Sequence, residues 1–170
     1  MITLIDNTLL DELCAEAGAS PRRRKNRNFH PADDHPGHRL LNAMQPDSYI
    51  PPHRHLDPNK DETFVVLRGA LGLVIFDDAG EIEQTVKVGA AALCMPGNPL
   101  RGQATAMGVD IHHGTWHTAV ALAPDTVFLE AKAGPYLPFV AAEKALWAPA
   151  ENAPEAASYL VALKRRFGEG

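Results

Sequence analysis

Cysteine is nearly absent from this chain, with Cys14 and Cys94 its only two. Two thiols cannot staple a disulfide scaffold, and these two lack the spacing of a zinc finger. Aromatic residues are scarce as well, at 6%. No uncharged apolar run approaches the roughly 18 residues that a membrane-spanning helix requires. The opening MITLIDNTLLDELC carries acids where a secretory signal would carry a basic segment and an apolar core. The expectation from these absences is a cytoplasmic protein without a membrane partner. No internal repeat and no low-complexity linker divides the 170 residues, so they read as one domain with one core.

Sixteen basic residues face 21 acidic ones, for a net charge of −5. The distribution is uneven. Arg22, Arg23, Arg24, Lys25 and Arg27 form a basic run without an acid, which leaves 11 basic residues against 21 acids elsewhere. That remainder is a poor match for a nucleic-acid backbone. No aromatic residues are interleaved with the bases, so no nucleic-acid partner is expected and the run reads as a solvated turn or partner contact.

Proline and glycine are plentiful, at 14 and 13 residues. They favour many short elements over a helical bundle. Residues 2–5 suit a short strand, and Thr8 can cap a helix over about 9–17 with Leu9, Leu10, Leu13 and Ala17 as its apolar stripe. Residues 22–40 read as a polar, irregular arm. From Leu41 come LNAMQPDSYI, ETFVVLRG, LGLVIFDDAG, EIEQTVKVG, AALCMPG, TAMGVDI, WHTAVALA and DTVFLEAK. These are short apolar or alternating runs broken by Gly, Pro and Asp, the pattern of an antiparallel sandwich or barrel. DDAG at 77–80 suits a hairpin turn. Residues 155–167 carry Ala156, Tyr159, Leu160, Leu163 and Phe167 at helical spacing, with Lys164, Arg165 and Arg166 near the C-terminal end. The expected parts are an N-terminal helix and arm over 1–40, a barrel over 41–134 and an extension with a terminal helix over 135–170.

All eight histidines lie between positions 30 and 117. In extended chain, residues i and i+2 project to one side, so His53 and His55 point together and can share a metal ion. Glu62 opens the apolar run 62–69, and a carboxylate there needs a cation. His112-His113-Gly114-Thr115-Trp116-His117 supplies a turn and then a further ligand, His117. Three imidazoles and one carboxylate suit Zn²⁺, Fe²⁺, Mn²⁺, Ni²⁺ or Co²⁺ and leave positions open for water or substrate. Taken singly, each has an ordinary reading: a strand-end acid for Glu62, a half-buried polar residue for His117, a turn for His112 and His113. His35 and His38 read as surface residues of the arm, and Cys94 as a small core residue.

In order and spacing, these residues resemble the cupin superfamily, whose first motif is G-x5-H-x-H-x(3–4)-E-x6-G and whose second is G-x5-P-x-G-x2-H-x3-N. His53, His55, Glu62 and Gly69 match the first, and Gly114 and His117 the second. Asp47 replaces the first glycine, His112 the proline and Ala121 the asparagine, and six residues separate His55 from Glu62. That longer stretch either bulges and still delivers Glu62 or leaves a three-histidine site. Beyond the motifs, RLLNAMQPDSYIPPHRH at 39–55, ETFVVLRGALGLVIFDDAG at 62–80, GTWHTAVAL at 114–122, FLEAKAGPY at 128–136 and WAPAE at 147–151 resemble the WbuC-type cupin fold metalloproteins of bacteria, often associated with O-antigen gene clusters. The resemblance implies a double-stranded β-helix (jelly-roll) barrel and a metal at His53, His55 and His117, with Glu62 as the fourth ligand. Pairing through barrel edges is common in that superfamily, and a homodimer is expected.

Around the metal, Asn26, Asn28 and His30 alternate and would aim one way from an extended arm, with Phe29 opposite. Tyr49 shares the parity of His53 and His55 and can approach the metal as donor or acid. Glu130 and Lys132 share a face: inside the barrel they would be an acid/base or anion-binding element, and outside a surface pair. Arg68, like Arg39 and Arg54, offers a guanidinium to carboxylate or phosphate oxygens. The expected pocket therefore holds Asn28, His30, Tyr49, Arg68, Glu130 and Lys132, with Glu62, Tyr49 and Glu130 as candidate catalytic groups. The expected function is a metal-binding cupin that binds, and can transform, a small polar carbohydrate-related or anionic metabolite. As an enzyme it would be a sugar or sugar-phosphate isomerase, or an iron-dependent oxygenase. A ligand-binding or sensing module without turnover is the other class.

Overall fold

The computed structural model describes residues 2–94, 104 and 106–168. Its core is two antiparallel sheets facing each other. One has five strands in the order β1-β2-β8-β3-β6, and the other has three in the order β5-β4-β7. The strands are β1 (Arg24–Asn28), β2 (Gly37–Met44), β3 (Glu62–Arg68), β4 (Ala70–Phe76), β5 (Ile82–Gly89), β6 (Gly108–Ile111), β7 (Trp116–Ala121) and β8 (Thr126–Ala133). Consecutive strands repeatedly cross from one sheet to the other, the jelly-roll arrangement expected from the sequence. With a helix at each end, the fold class is as anticipated: α1 (Asn7–Ala19) and α3 (Ala156–Arg165) flank the strands. The closed barrel is in detail a sandwich of two sheets.

Alternation explains the layers. Between the sheets, Phe64, Val66 and Phe128 of the larger sheet meet Leu71, Leu73, Ala119 and Ala121 of the smaller one. On the outer face of the larger sheet, Leu41, Ala43 and Val127 pack under Leu9, Leu10, Leu13 and Ala17 of α1. Outside the smaller sheet, Val74, Phe76 and Val120 are covered by Leu160 and Leu163 of α3 and by Ala145. Strands β4 and β7 are therefore covered on both faces, which is why they read as nearly continuous apolar runs. Gly69 turns the chain from one sheet to the other at φ +71, where a Cβ would lie 3.0 Å from the Thr126 backbone. Asp77 and the turn after it join β4 to β5 as expected, its carboxylate accepting from the Ala79 and Glu81 amides.

Four local expectations change. The helix begins at Asn7 because Asp6, not Thr8, caps it by accepting from the Leu9 amide at 3.0 Å. Residues 2–5 are exposed and form no strand. The arm is not irregular: β1 pairs with β2 from Arg24↔Met44 to Asn28↔Leu40, so the sheet starts before residue 41. Cross-strand hydrogen bonding outweighed the low β-propensity of RKNRN. In AALCMPG, Ala91–Cys94 forms a short helix, α2; Met95–Gly97 lie outside the described residues. Cys14 is buried and Cys94 partly buried, both as free thiols. No helix among the described residues is long and apolar enough to cross a membrane.

Candidate metal centre

The inner face of the larger sheet is apolar at one end and polar at the other. Strand register sets the polar end. Glu62, Lys132 and His38 are opposed across β3, β8 and β2, and the next inward row is Phe64, Glu130, Leu40 and Asn28. Glu130 and Lys132 thus face inward, and the open choice between inside and outside resolves to inside. Beyond this end runs the segment carrying His53 and His55, which has no regular ladder. His53 exchanges two backbone hydrogen bonds with His117 of β7, at 3.0 and 2.9 Å. His55 accepts from the amide of Gly114, which turns at φ +80. The site therefore sits where the two sheets meet at one mouth of the sandwich.

Two of the three imidazoles are held by the same local device. His53 Nδ1 lies 3.1 Å from the Pro51 carbonyl and His117 Nδ1 2.9 Å from the Thr115 carbonyl. A carbonyl only accepts, so Nδ1 carries the proton and Nε2 presents a lone pair. His117 Nε2 lies 3.1 Å from Glu62 Oε2, and His55 Nε2 lies 3.0 Å from Glu62 Oε1. Despite these distances, His55 Nε2, His117 Nε2 and Glu62 Oε2 make no hydrogen bond, and all three are buried. Ligating atoms of His53, His55 and Glu62 all lie within 4.8 Å of one another. Buried, unsatisfied acceptors facing each other call for a cation between them.

The residues fit a divalent transition metal. The donors are borderline imidazole nitrogens with one carboxylate, the set that suits zinc, iron, manganese, nickel or cobalt. The six residues between His55 and Glu62 form a turn closed by Lys60 donating to the Asp57 carbonyl, and Glu62 still reaches the histidines. Burial and then the nearby His117 push the His53 ring down to about 3, so it stays neutral and able to donate a lone pair. For Glu62, burial opposes ionisation, but the Lys132 ammonium 2.7 Å away favours the carboxylate, which is held well below its usual range. Lys132 Nζ contacts Glu62 Oε1 and Glu130 Oε1, both at 2.7 Å. Burial alone would depress the ammonium, yet the two carboxylates raise it above the ordinary lysine value.

Around this cluster lies a chamber of about 110 Å³, with Asn42, Glu130 and Lys132 on its polar side and Phe64, Phe128 and Ala119 on its apolar side. Asn42 Nδ2 donates to Glu130 Oε2 at 2.7 Å. A groove of about 650 Å³ adjoins it, and Asn28, His30, Glu130 and Lys132 all line that groove. Two expected pocket residues lie elsewhere. Tyr49 is buried outside the smaller sheet, where its hydroxyl donates to the Pro149 carbonyl at 2.8 Å and its ring meets Tyr159 edge-on. Alternation failed at Tyr49 because the 49–53 stretch contains Pro51 and Pro52 and no ladder enforces it. Arg68 turns away from the chamber because the β3–β8 register shifts between Val66 and Arg68. It meets Asp11 at 2.6 Å and Asn7 of α1 instead. Neither belongs to the candidate site.

Sequence reasoning missed Phe139 and Glu143. The Phe139 ring lies 4.7 Å from the His53 ring and 5.3 Å from the His55 ring, centroid to centroid. Glu143 accepts from the Leu56 and Val140 amides with its carboxylate and from the Arg54 amide with its carbonyl. The segment 139–144 so forms a strap across the His53–His55 stretch. The signal was an apolar run, YLPFV, in an extension without strand or helix periodicity. His112 and His113 belong to the turn as expected, both against the Asp61 carboxylate.

Solved structures similar to the chain include KdgF from Halomonas sp., at 16% identity and TM-score 0.47, covering 67% of this chain and 82% of that one. A conserved Streptococcus pyogenes protein of unknown function aligns at 11% identity and TM-score 0.49, covering 81% and 91%. A tryptophan-to-phenylalanine variant of the B. subtilis oxalate decarboxylase aligns at 15% identity and TM-score 0.43, covering 61% of this chain and 22% of that one. In the comparison with curated proteins nothing matches. Residues 5–88 match the family model described as "Domain of unknown function (DUF6016)", a span that contains His53, His55 and Glu62 but ends before His117.

Proposed function

We propose that this protein is a cupin-type metalloprotein in which His53, His55, His117 and Glu62 hold one divalent transition metal that orients a small polar, carbohydrate-related or anionic metabolite. The observation that carries the reading is the set of three buried polar atoms, His55 Nε2, Glu62 Oε2 and His117 Nε2, that face one another without hydrogen-bond partners. When bound, such a metal supplies Lewis acidity toward a ligand carbonyl or hydroxyl oxygen. The chain's own groups do the rest. Asn42 and Lys132 fix the Glu130 carboxylate at the chamber wall, where it can accept or return a proton at Oε1 or Oε2. Phe64 and Phe128 exclude water from the apolar side. If turnover occurs, this placement favours proton transfer between neighbouring ligand atoms, as an aldose–ketose isomerase requires.

Calorimetric titration of sugar phosphates and sugar acids into metal-loaded and metal-free protein tests the reading. At least one ligand should bind the loaded form about tenfold or more tightly than the metal-free form. Equal affinity for both forms overturns it.

A further inference from the structure

The chamber and the groove differ in size and in chemistry. At about 110 Å³ the chamber has room for a compact group, the equivalent of roughly four waters. The adjoining groove, at about 650 Å³, has the size of a complete ligand cleft. Arg24, Asn42, Glu130 and Lys132 line both, so the two spaces share a wall. On the strap side, the Phe139 ring covers His53 and His55. The groove side is therefore the approach.

The groove's cations are paired within the protein, Lys25 the most loosely at 3.8 Å from Glu16, and Asp33 adds a carboxylate. Arg22 Nε and Arg24 Nη2 each lie 2.8 Å from Glu151 Oε1. Lys132 is held between Glu62 and Glu130. Apart from Asp33, what the groove still offers is neutral. Asn26 Nδ2 donates to Asn28 Oδ1 at 2.8 Å, which leaves the Asn28 amide as a donor and the Asn26 carbonyl as an acceptor. Asn42 keeps its carbonyl oxygen, since its amide is engaged by Glu130. Tyr136, an exposed residue of the groove wall, adds a phenolic hydroxyl. His30 and His38, both buried, stack at 3.9 Å with an interplanar angle of 5° in the groove wall. Neutral donors and acceptors beside the Asp33 carboxylate match a ligand rich in hydroxyls and mismatch a polyanion.

Resting on the metal-centre reading above, we propose that the β1–β2–β8 groove is a separate subsite for the body of an elongated polyhydroxylated ligand. Its compact acidic head passes Asn42, Glu130 and Lys132 to reach the chamber. The substrate class is then a glycosylated sugar acid and not a single small acid.

The test titrates gluconate, and its glucosyl and galactosyl derivatives maltobionate and lactobionate, into three proteins: metal-loaded wild type, the metal-free form, and metal-loaded Asn26→Ala/Asn28→Ala. Both asparagines are exposed, so the variant keeps the fold. One of the longer acids should bind wild type about tenfold more tightly than gluconate, the scale of two neutral hydrogen bonds. The variant should lose that advantage. Equal affinity for short and long acids, an unchanged advantage in the variant, or no binding by any of the three acids overturns the subsite. An advantage that depends on the asparagines but survives metal removal leaves the subsite standing and overturns the metal-centre reading.

Discussion

Lys132 stands opposite Glu62 in the β3–β8 ladder and meets its carboxylate at 2.7 Å while also touching Glu130 at the same distance. One ammonium thus serves two inward carboxylates that would otherwise repel each other in a buried chamber. It also keeps Glu62 ionised, the state in which a carboxylate can ligate a cation. Removing the lysine charge should destabilise metal-free protein by about 3 kcal/mol, because it leaves buried charges unpaired. Metal loading should recover part of that loss. Urea unfolding of Lys132→Met with and without metal checks this; equal loss in the two forms contradicts a shared charge balance.

The metal ligands come from two separate stretches. A His53→Ala/His117→Ala protein should keep its two-sheet fold by circular dichroism and hold no stoichiometric metal after purification without chelator. Full metal content in that variant would remove the ligand assignment.

Phe139 shields one side of the cluster and is itself 36% exposed. Phe139→Ala should cost little global stability, below about 1 kcal/mol. Metal loss to excess chelator should nevertheless accelerate severalfold. An unchanged rate would place chelator access elsewhere.

Glu151 ties β1 to the C-terminal extension through Arg22 and Arg24. Burial raises its carboxyl, but the two guanidiniums outweigh burial and hold it below its ordinary value of 4.5. A depressed folded value means the carboxylate stabilises the protein above about pH 4.5, and this contribution fades as pH falls through the folded value. Glu151→Gln should be less stable near pH 7 and should lose less on acidification. Parallel stability curves for the two proteins between pH 3 and 7 would show that the pair contributes nothing.

Strand edges at β1 and β6, together with exposed Val65 and Leu67 on β3, offer a surface for a second copy. We expect a symmetric homodimer, with light scattering near twice 18.4 kDa. A mass of one chain across micromolar concentrations rejects it.

The sequence by itself determined the strands β3, β4, β5, β7 and β8 and the residue types of the site. Alternation in ETFVVLR and FLEAK, turn residues such as Asp77, and the i, i+2 relation of His53 and His55 are local properties that survive folding unchanged. Parity carried inference only where a ladder enforced it. It put Glu130 with Lys132 and Asn26 with Asn28, but failed at Tyr49, where two prolines follow, and at Arg68, where the register slips by one residue. Tertiary structure decided the rest. The side on which Glu130 and Lys132 face, the reach of Glu62 across six extra residues, the pairing of a charged arm as β1 and the seating of Phe139 over the histidines all depend on contacts between segments distant in sequence. Such contacts leave no local period, because their energy comes from strands and loops that meet only once both sheets are assembled.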